Sequence, residues 1–102
     1  MEMRLNSVVL VGRLIGSPIQ AGSLVHFRIE AQADAEPFHC IAREKAGANV
    51  LQYCRDGDEV SIEGLLAWMT FKNAPKPVLL VEARYVSYGR KKESLRQNSY
   101  NW

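Results

Sequence analysis

The sequence is poor in cysteine: Cys40 and Cys54 are the only two in 102 residues. They stand 14 positions apart with no second pair, so the spacing of a metal knuckle is absent. Cys40 falls in an apolar strand pattern and Cys54 in an apolar helical one, and both read as reduced, buried thiols. Seven glycines and four prolines are too few for a collagen or a low-complexity chain. No stretch approaches about 18 apolar residues, so no helix is expected to span a bilayer. Residues 1–6 lack the apolar core of a signal peptide. There is no Gly-rich phosphate loop, no paired His/Cys nucleophile signature and no metal-ligand spacing. Glu30, Glu63 and Glu82 fall on separate segments without a motif, which leaves a carboxylate-pair hydrolase unsupported. The expectation is a soluble, cytoplasmic chain that is not an enzyme and needs no metal, cofactor or membrane.

What is present is ordinary globular composition, 47% apolar and 24% charged. The length suits one domain, and a domain this small buries a modest share of its surface, which favours oligomers. Net charge is only +2, but it is unevenly spread. Residues 1–63 carry six Lys/Arg against nine Asp/Glu; residues 64–102 carry seven against two. Two readings stand, an anionic partner for the C-terminal part or a solvated basic surface.

Residues 5–14 are β-branched and apolar on both parities, as in a central or interface strand. Gly12 marks a bend or bulge within it, and Gly16-Ser17-Pro18 is expected to end it. Residues 24–32 alternate, with Val25, Phe27, Ile29 and Ala31 on one side: a half-buried strand. Residues 38–42 read as a third strand after a short polar connection at 33–37. The helix is placed at 46–55, where Ala46, Val50, Tyr53 and Cys54 share a face, and Gly57 is placed for a left-handed residue after it. Residues 59–71 form a long fourth strand with Gly64 in the middle, residues 72–77 a turn, and residues 78–88 a fifth strand. Gly89 onward is polar, basic and aperiodic. The fold expected is all-β: a five-stranded barrel with one helix between strands three and four, the oligonucleotide/oligosaccharide-binding (OB) arrangement. It would occupy residues 1–90, with a short basic tail at 91–102.

The segment Asn6-Ser7-Val8-Val9-Leu10-Val11-Gly12-Arg13-Leu14, with Pro18 after it, resembles the N-x-V-x-L-V-G-x-L-x-x-x-P strand of bacterial single-stranded DNA-binding proteins. Phe38-His39 is similar to their W/F-H pair. Residues 53–64 resemble Y-L-x-K-G-x-x-V-x-I-E-G, and residues 81–88 resemble V-x-A-x-x-V-x-F. The matches run in order over roughly residues 6–90. The resemblance implies an OB barrel that binds single-stranded DNA without catalysis, assembles as tetramer or dimer, and serves replication, recombination or repair at the nucleoid. There are departures. The 33–37 loop is short and holds no aromatic, and the family's third-strand phenylalanine falls on or near Glu44. The sequence stops at Trp102 without a Gly/Gln/Pro-rich linker or acidic tip, so a tailless relative is expected. Primosomal replication protein N, a dimeric relative, is the alternative: a restart adaptor acting mainly through replication and restart proteins.

A single-strand binder needs cations for phosphates and flat side chains for bases. Under the resemblance, Phe38 and Phe71 match stacking aromatics. Phe71 lies on the polar parity of strand four, with Ser61 and Glu63. The candidate cations are Arg13, Arg28 and Arg43 on strands, Lys72 and Lys76 in the 72–77 turn, and Arg84 on the closing strand; Arg90, Lys91 and Lys92 follow. Trp68 shares the core parity of Val60 and Ile62 and is expected to be buried, unless a bulge at Gly64 inverts the strand. Val9 and Val11 on strand one, with Leu65 and Met69 on strand four, are apolar opposite the core parity and suggest an oligomer interface. His39 matches a family histidine at that interface. Tyr100 and Trp102 are left without an assigned role.

Overall fold

The computed structural model describes residues 6–88. The basic tail and the residues named within it, Arg90 to Trp102, lie outside the described residues. Five strands and one helix follow in order: β1 (Val8–Ala21), β2 (Leu24–Glu30), β3 (Phe38–Arg43), α1 (Glu44–Tyr53), β4 (Glu59–Met69) and β5 (Val78–Tyr88). The strands close a barrel in the order β1-β2-β3-β5-β4. All seams are antiparallel except β3 against β5.

Period-two alternation builds the interior. Leu10, Leu14, Val25, Phe27, Ile29, Cys40, Ala42, Val60, Ile62, Val81 and Ala83 form one buried cluster, to which α1 adds Val50 and its C-terminal cap residue Cys54. Tyr53, expected on the apolar helix face, is half exposed and stacks on Tyr88 at 5.4 Å between ring centroids. Ile41 and Leu80 are buried too, yet lie outside that cluster. Both are on the outward parity of their strands.

Two glycines allow the barrel to coil this tightly. A Cβ on Gly12 would strike the Glu30 carbonyl, and one on Gly64 the Glu82 carbonyl. Only hydrogen fits where the neighbouring backbone approaches so closely. Gly57 has φ +88, the left-handed turn its position predicts, and its N–H donates to the Leu14 carbonyl at 2.8 Å.

Three expectations are corrected. Strand one does not end at Gly16-Ser17-Pro18 but continues to Ala21, because those residues form a bulge. The pairing with β2 shifts between Ile15 and Ile19, and the displaced Gly16 N–H is recovered by the Asp56 carboxylate at 2.6 Å. A proline that cannot donate to a ladder is tolerated at such a site. The helix runs 44–53 rather than 46–55, beginning directly at the end of β3. The bulge near Gly64 falls on the partner strand instead: Glu63 pairs with Tyr85 but Gly64 with Ala83, leaving Arg84 as the extra residue. The parity of β4 therefore runs through Gly64 unbroken.

Candidate nucleic-acid interface

Trp68 accordingly keeps its inward parity, but it is not buried; it is 69% exposed. The reason is reach. Beyond Gly64, β4 and β5 continue as an arm past the filled interior, so an inward-pointing side chain there meets the open mouth of the barrel. Leu66, on the same parity, is exposed as well. On the opposite parity, Leu65 and Met69, expected to be exposed, are half-buried.

Phe38 opens β3 with inward parity, level with Ile29 of β2, and is 49% exposed at the same mouth. Phe71 stands just after β4 in the loop to β5 and is 38% exposed. Lys72 and Lys76 are exposed in that loop. Asn73 and Pro75 interrupt it, and the Ala74 N–H donates back to the Phe71 carbonyl at 3.1 Å, a turn that holds the ring at the tip of the strand.

The other cations divide by face. Arg28 and Arg43 project from the outer surface of β2 and β3. Arg43 and Arg84 share one carboxylate: Glu82 Oε2 lies 3.4 Å from Arg43 Nε and 3.5 Å from Arg84 Nε. Arg43, Lys45, Glu82 and Arg84 line a shallow cleft of ≈ 320 Å³ where α1 leaves β3. Glu44, at the position matched to the family's phenylalanine, is exposed at the rim of this cleft with φ +52. Arg13 stands apart. Its cross-strand neighbours are Glu30 on β2 and Glu59 on β4, which offset its charge.

His39 donates to or accepts from His26, with 3.0 Å between its Nδ1 and the His26 Nε2. The rings are 3° from parallel with centroids 5.2 Å apart. That separation is the nitrogen–nitrogen distance plus two ring radii, so the imidazoles lie edge to edge as a hydrogen-bonded pair. Burial, then His39 and Arg28, hold the His26 pKa below its ordinary 6.5. The second histidine and the pairing of Glu82 with two arginines were missed by sequence reasoning, since both depend on cross-strand register.

The outer surface of β1, β4 and β5 forms another face. Val9, Glu63 and Tyr85 stand in one cross-strand row, Val11, Ser61 and Ser87 in the next. Val9, Val11 and Tyr85 are all exposed. Among the described residues no group of three or more His, Cys, Asp or Glu is placed to hold a metal ion, and no helix is long and apolar enough to cross a membrane.

A closed five-stranded barrel with its single helix between β3 and β4, and aromatic and basic side chains on the mouth and the β4–β5 loop, defines an OB fold. The chain is similar in structure to the small single-stranded DNA-binding protein from Streptomyces coelicolor, with a TM-score of 0.70 and 17% sequence identity over 85% of this chain and 94% of that one. No protein-family model matches the sequence, and no curated protein matches it.

Proposed function

We propose that the protein binds single-stranded DNA without sequence preference and without catalysis. Bases stack on Phe38 and Phe71, and phosphates are met by Arg28, Arg43, Lys72, Lys76 and Arg84, with Arg13 a weaker contributor. The observation that carries this reading is that Phe38 and Phe71 are large, flat and exposed on an OB barrel, with two exposed lysines next to one of them. A monomer gains nothing in stability from presenting such rings to water. The likeness to a protein named for single-strand binding supports it. Replication, recombination and repair are the processes in which such binding is used.

We propose also that the chain self-associates as a dimer or tetramer through the outer face of β1, with Val9, Val11 and Tyr85 at its centre. Leu65, Met69 and His39 then contribute at the margin. Covering three large exposed side chains on one outer face of the barrel supports this.

The test is anisotropy of a labelled oligo-dT. Binding at about 50 mM salt is expected, and log affinity against log salt falls with a slope near −0.7 per phosphate met, so roughly −3 to −4 for four to six contacts. No binding at that salt rejects the reading.

A further inference from the structure

The mouth of the barrel carries an apolar row of which Phe38 alone is an assigned stacking residue. Trp68 on β4 pairs with Leu79 on β5, and Leu66 with Val81 one pleat deeper. On the other side of β5, Cys40 of β3 stands level with Val81. Continuing that parallel register back by two residues sets Phe38 level with Leu79. Phe38, Leu79 and Trp68 thus lie across three adjacent strands on the inward parity, and they are 49%, 47% and 69% exposed. Strand spacing puts the two rings roughly 10 Å apart with the leucine between them.

Charge distinguishes among occupants. From Gly64 to Val81 the sequence contains no Asp or Glu and two lysines, Lys72 and Lys76. The two acids that bound this stretch, Glu63 and Glu82, are on the outward parity, away from the mouth. Leu79 and Trp68 stand on this acid-free, cationic arm, whereas Phe38 follows Asp34 and Glu36 of the loop before β3. The arm suits a ligand with flat apolar faces and a negative backbone. On the outer face of β1 and β4, by contrast, Val9 and Val11 share rows with Glu63 and Ser61, an acid and a neutral side chain with no cation beside them in those rows.

We propose that Phe38, Leu79 and Trp68 form a base-stacking platform for single-stranded nucleic acid, with Trp68 as its second ring. This rests on the single-strand reading above and adds to it a residue that the resemblance does not assign. Phe38 and Trp68 hold bases at the mouth, and Phe71 holds a further base at the tip of the arm. The strand is then led across the end of the barrel, from β3 over β5 to β4 and out along the lysines of the loop.

The experiment uses the full chain with Trp102→Phe, so that Trp68 is the sole tryptophan, excited selectively beyond the tyrosine band. Oligo-dT is added while emission and the anisotropy of the labelled strand are followed together. Emission is expected to fall along the same isotherm as anisotropy rises. Trp68→Ala is expected to lose about tenfold to a hundredfold in affinity, and Trp68→Phe to retain most of it. Melting temperature is expected to be unchanged in both, which separates a contact from a folding defect. Binding with constant emission, together with parent-like affinity of Trp68→Ala, overturns the platform and leaves the single-strand reading standing. No binding by anisotropy removes that reading and the platform with it. A blue shift of emission on concentrating the protein without DNA, accompanied by a rise in mass, overturns the platform in favour of a second copy on the row.

Discussion

His26 and His39, on adjacent strands, share a hydrogen bond of 3.0 Å between ring nitrogens, with Arg28 directly opposite His39. The bond needs one protonated and one bare nitrogen at the contact. One added proton can sit on an outer nitrogen and leave the bond intact; a second puts two N–H groups face to face and breaks it. The bond is therefore incompatible with a proton on both facing nitrogens.

Its pH dependence has a definite sign. The His26 pKa is lowered in the folded state from 6.5, by burial first and then by His39 and Arg28. The unfolded chain binds more protons, so this contribution to stability is complete above 6.5 and is lost as pH falls from there through the folded pKa. Urea unfolding should show a lower midpoint at about pH 5.5 than at about pH 7.5, and His26→Gln should reduce that difference. An equal midpoint in the parent would contradict the coupling.

Gly64→Ala should cost about 1–3 kcal/mol or more, because the new methyl meets the backbone carbonyl of Glu82, which cannot move without opening the β4–β5 seam. Gly12→Ala should behave alike through Glu30. Each is read from thermal melting, where about 1 kcal/mol is roughly 4–8 °C for a domain of this size.

The Asn6 side chain extends the β1–β4 ladder by one rung. Its Nδ2 donates to the Leu66 carbonyl at 2.8 Å, and its Oδ1 accepts from the Leu66 N–H at 3.0 Å. Asn6→Ala should lose both bonds, at about 0.5–1.5 kcal/mol each, and hydrogen exchange at Leu66 should quicken. Unchanged exchange there would show the clasp to be unimportant.

Glu82→Gln frees Arg43 and Arg84 from the carboxylate they share. Oligo-dT affinity should rise roughly threefold to tenfold with a steeper salt slope, while stability falls by only about 0–1 kcal/mol, since both arginines are half exposed. A weaker affinity would place Glu82 on the ligand's side of the contact.

Cys40 and Cys54 should resist thiol reagents in the native protein and react on unfolding. Burial pushes the Cys40 thiol up to about 12, and burial together with Asp58 pushes that of Cys54 up to about 11. Prompt native-state labelling would be inconsistent with both values.

Element order and the closed barrel were legible in the sequence because alternation and glycine placement are local signals. Val25, Phe27 and Ile29 declare a half-buried strand by spacing alone. What spacing cannot state is how far a strand outruns the interior it helps to fill. Trp68 has the parity of Ile62, yet one is in the open and the other wholly buried. The difference lies in where the β3–β5 seam stops, a property of three strands together. Gly16-Ser17-Pro18 misled for a related reason. Residues that punctuate a chain end a strand when nothing catches the broken ladder, and here Asp56, forty positions on, catches it. The His26–His39 bond and the Glu82 bridges belong to the same class, since each depends on register rather than on neighbours in sequence.

The order of the seams also sets how the chain must be assembled. β1, β2 and β3 can form a meander as soon as they exist, but both of its outer edges then stand unpaired. Val8 finds its partner only in Gly64, and Cys40, already paired with Phe27 of β2, finds a partner for its outer edge in Val81. The β4–β5 hairpin closes both edges in one event, β4 against β1 and β5 against β3. Until it has been synthesised, at about 5–20 residues per second, the valine-rich edge of β1 is open to any other strand. The last hairpin made is thus the barrel's guard against aggregation, and slow or truncated synthesis of that segment is the step at which the protein is most easily lost.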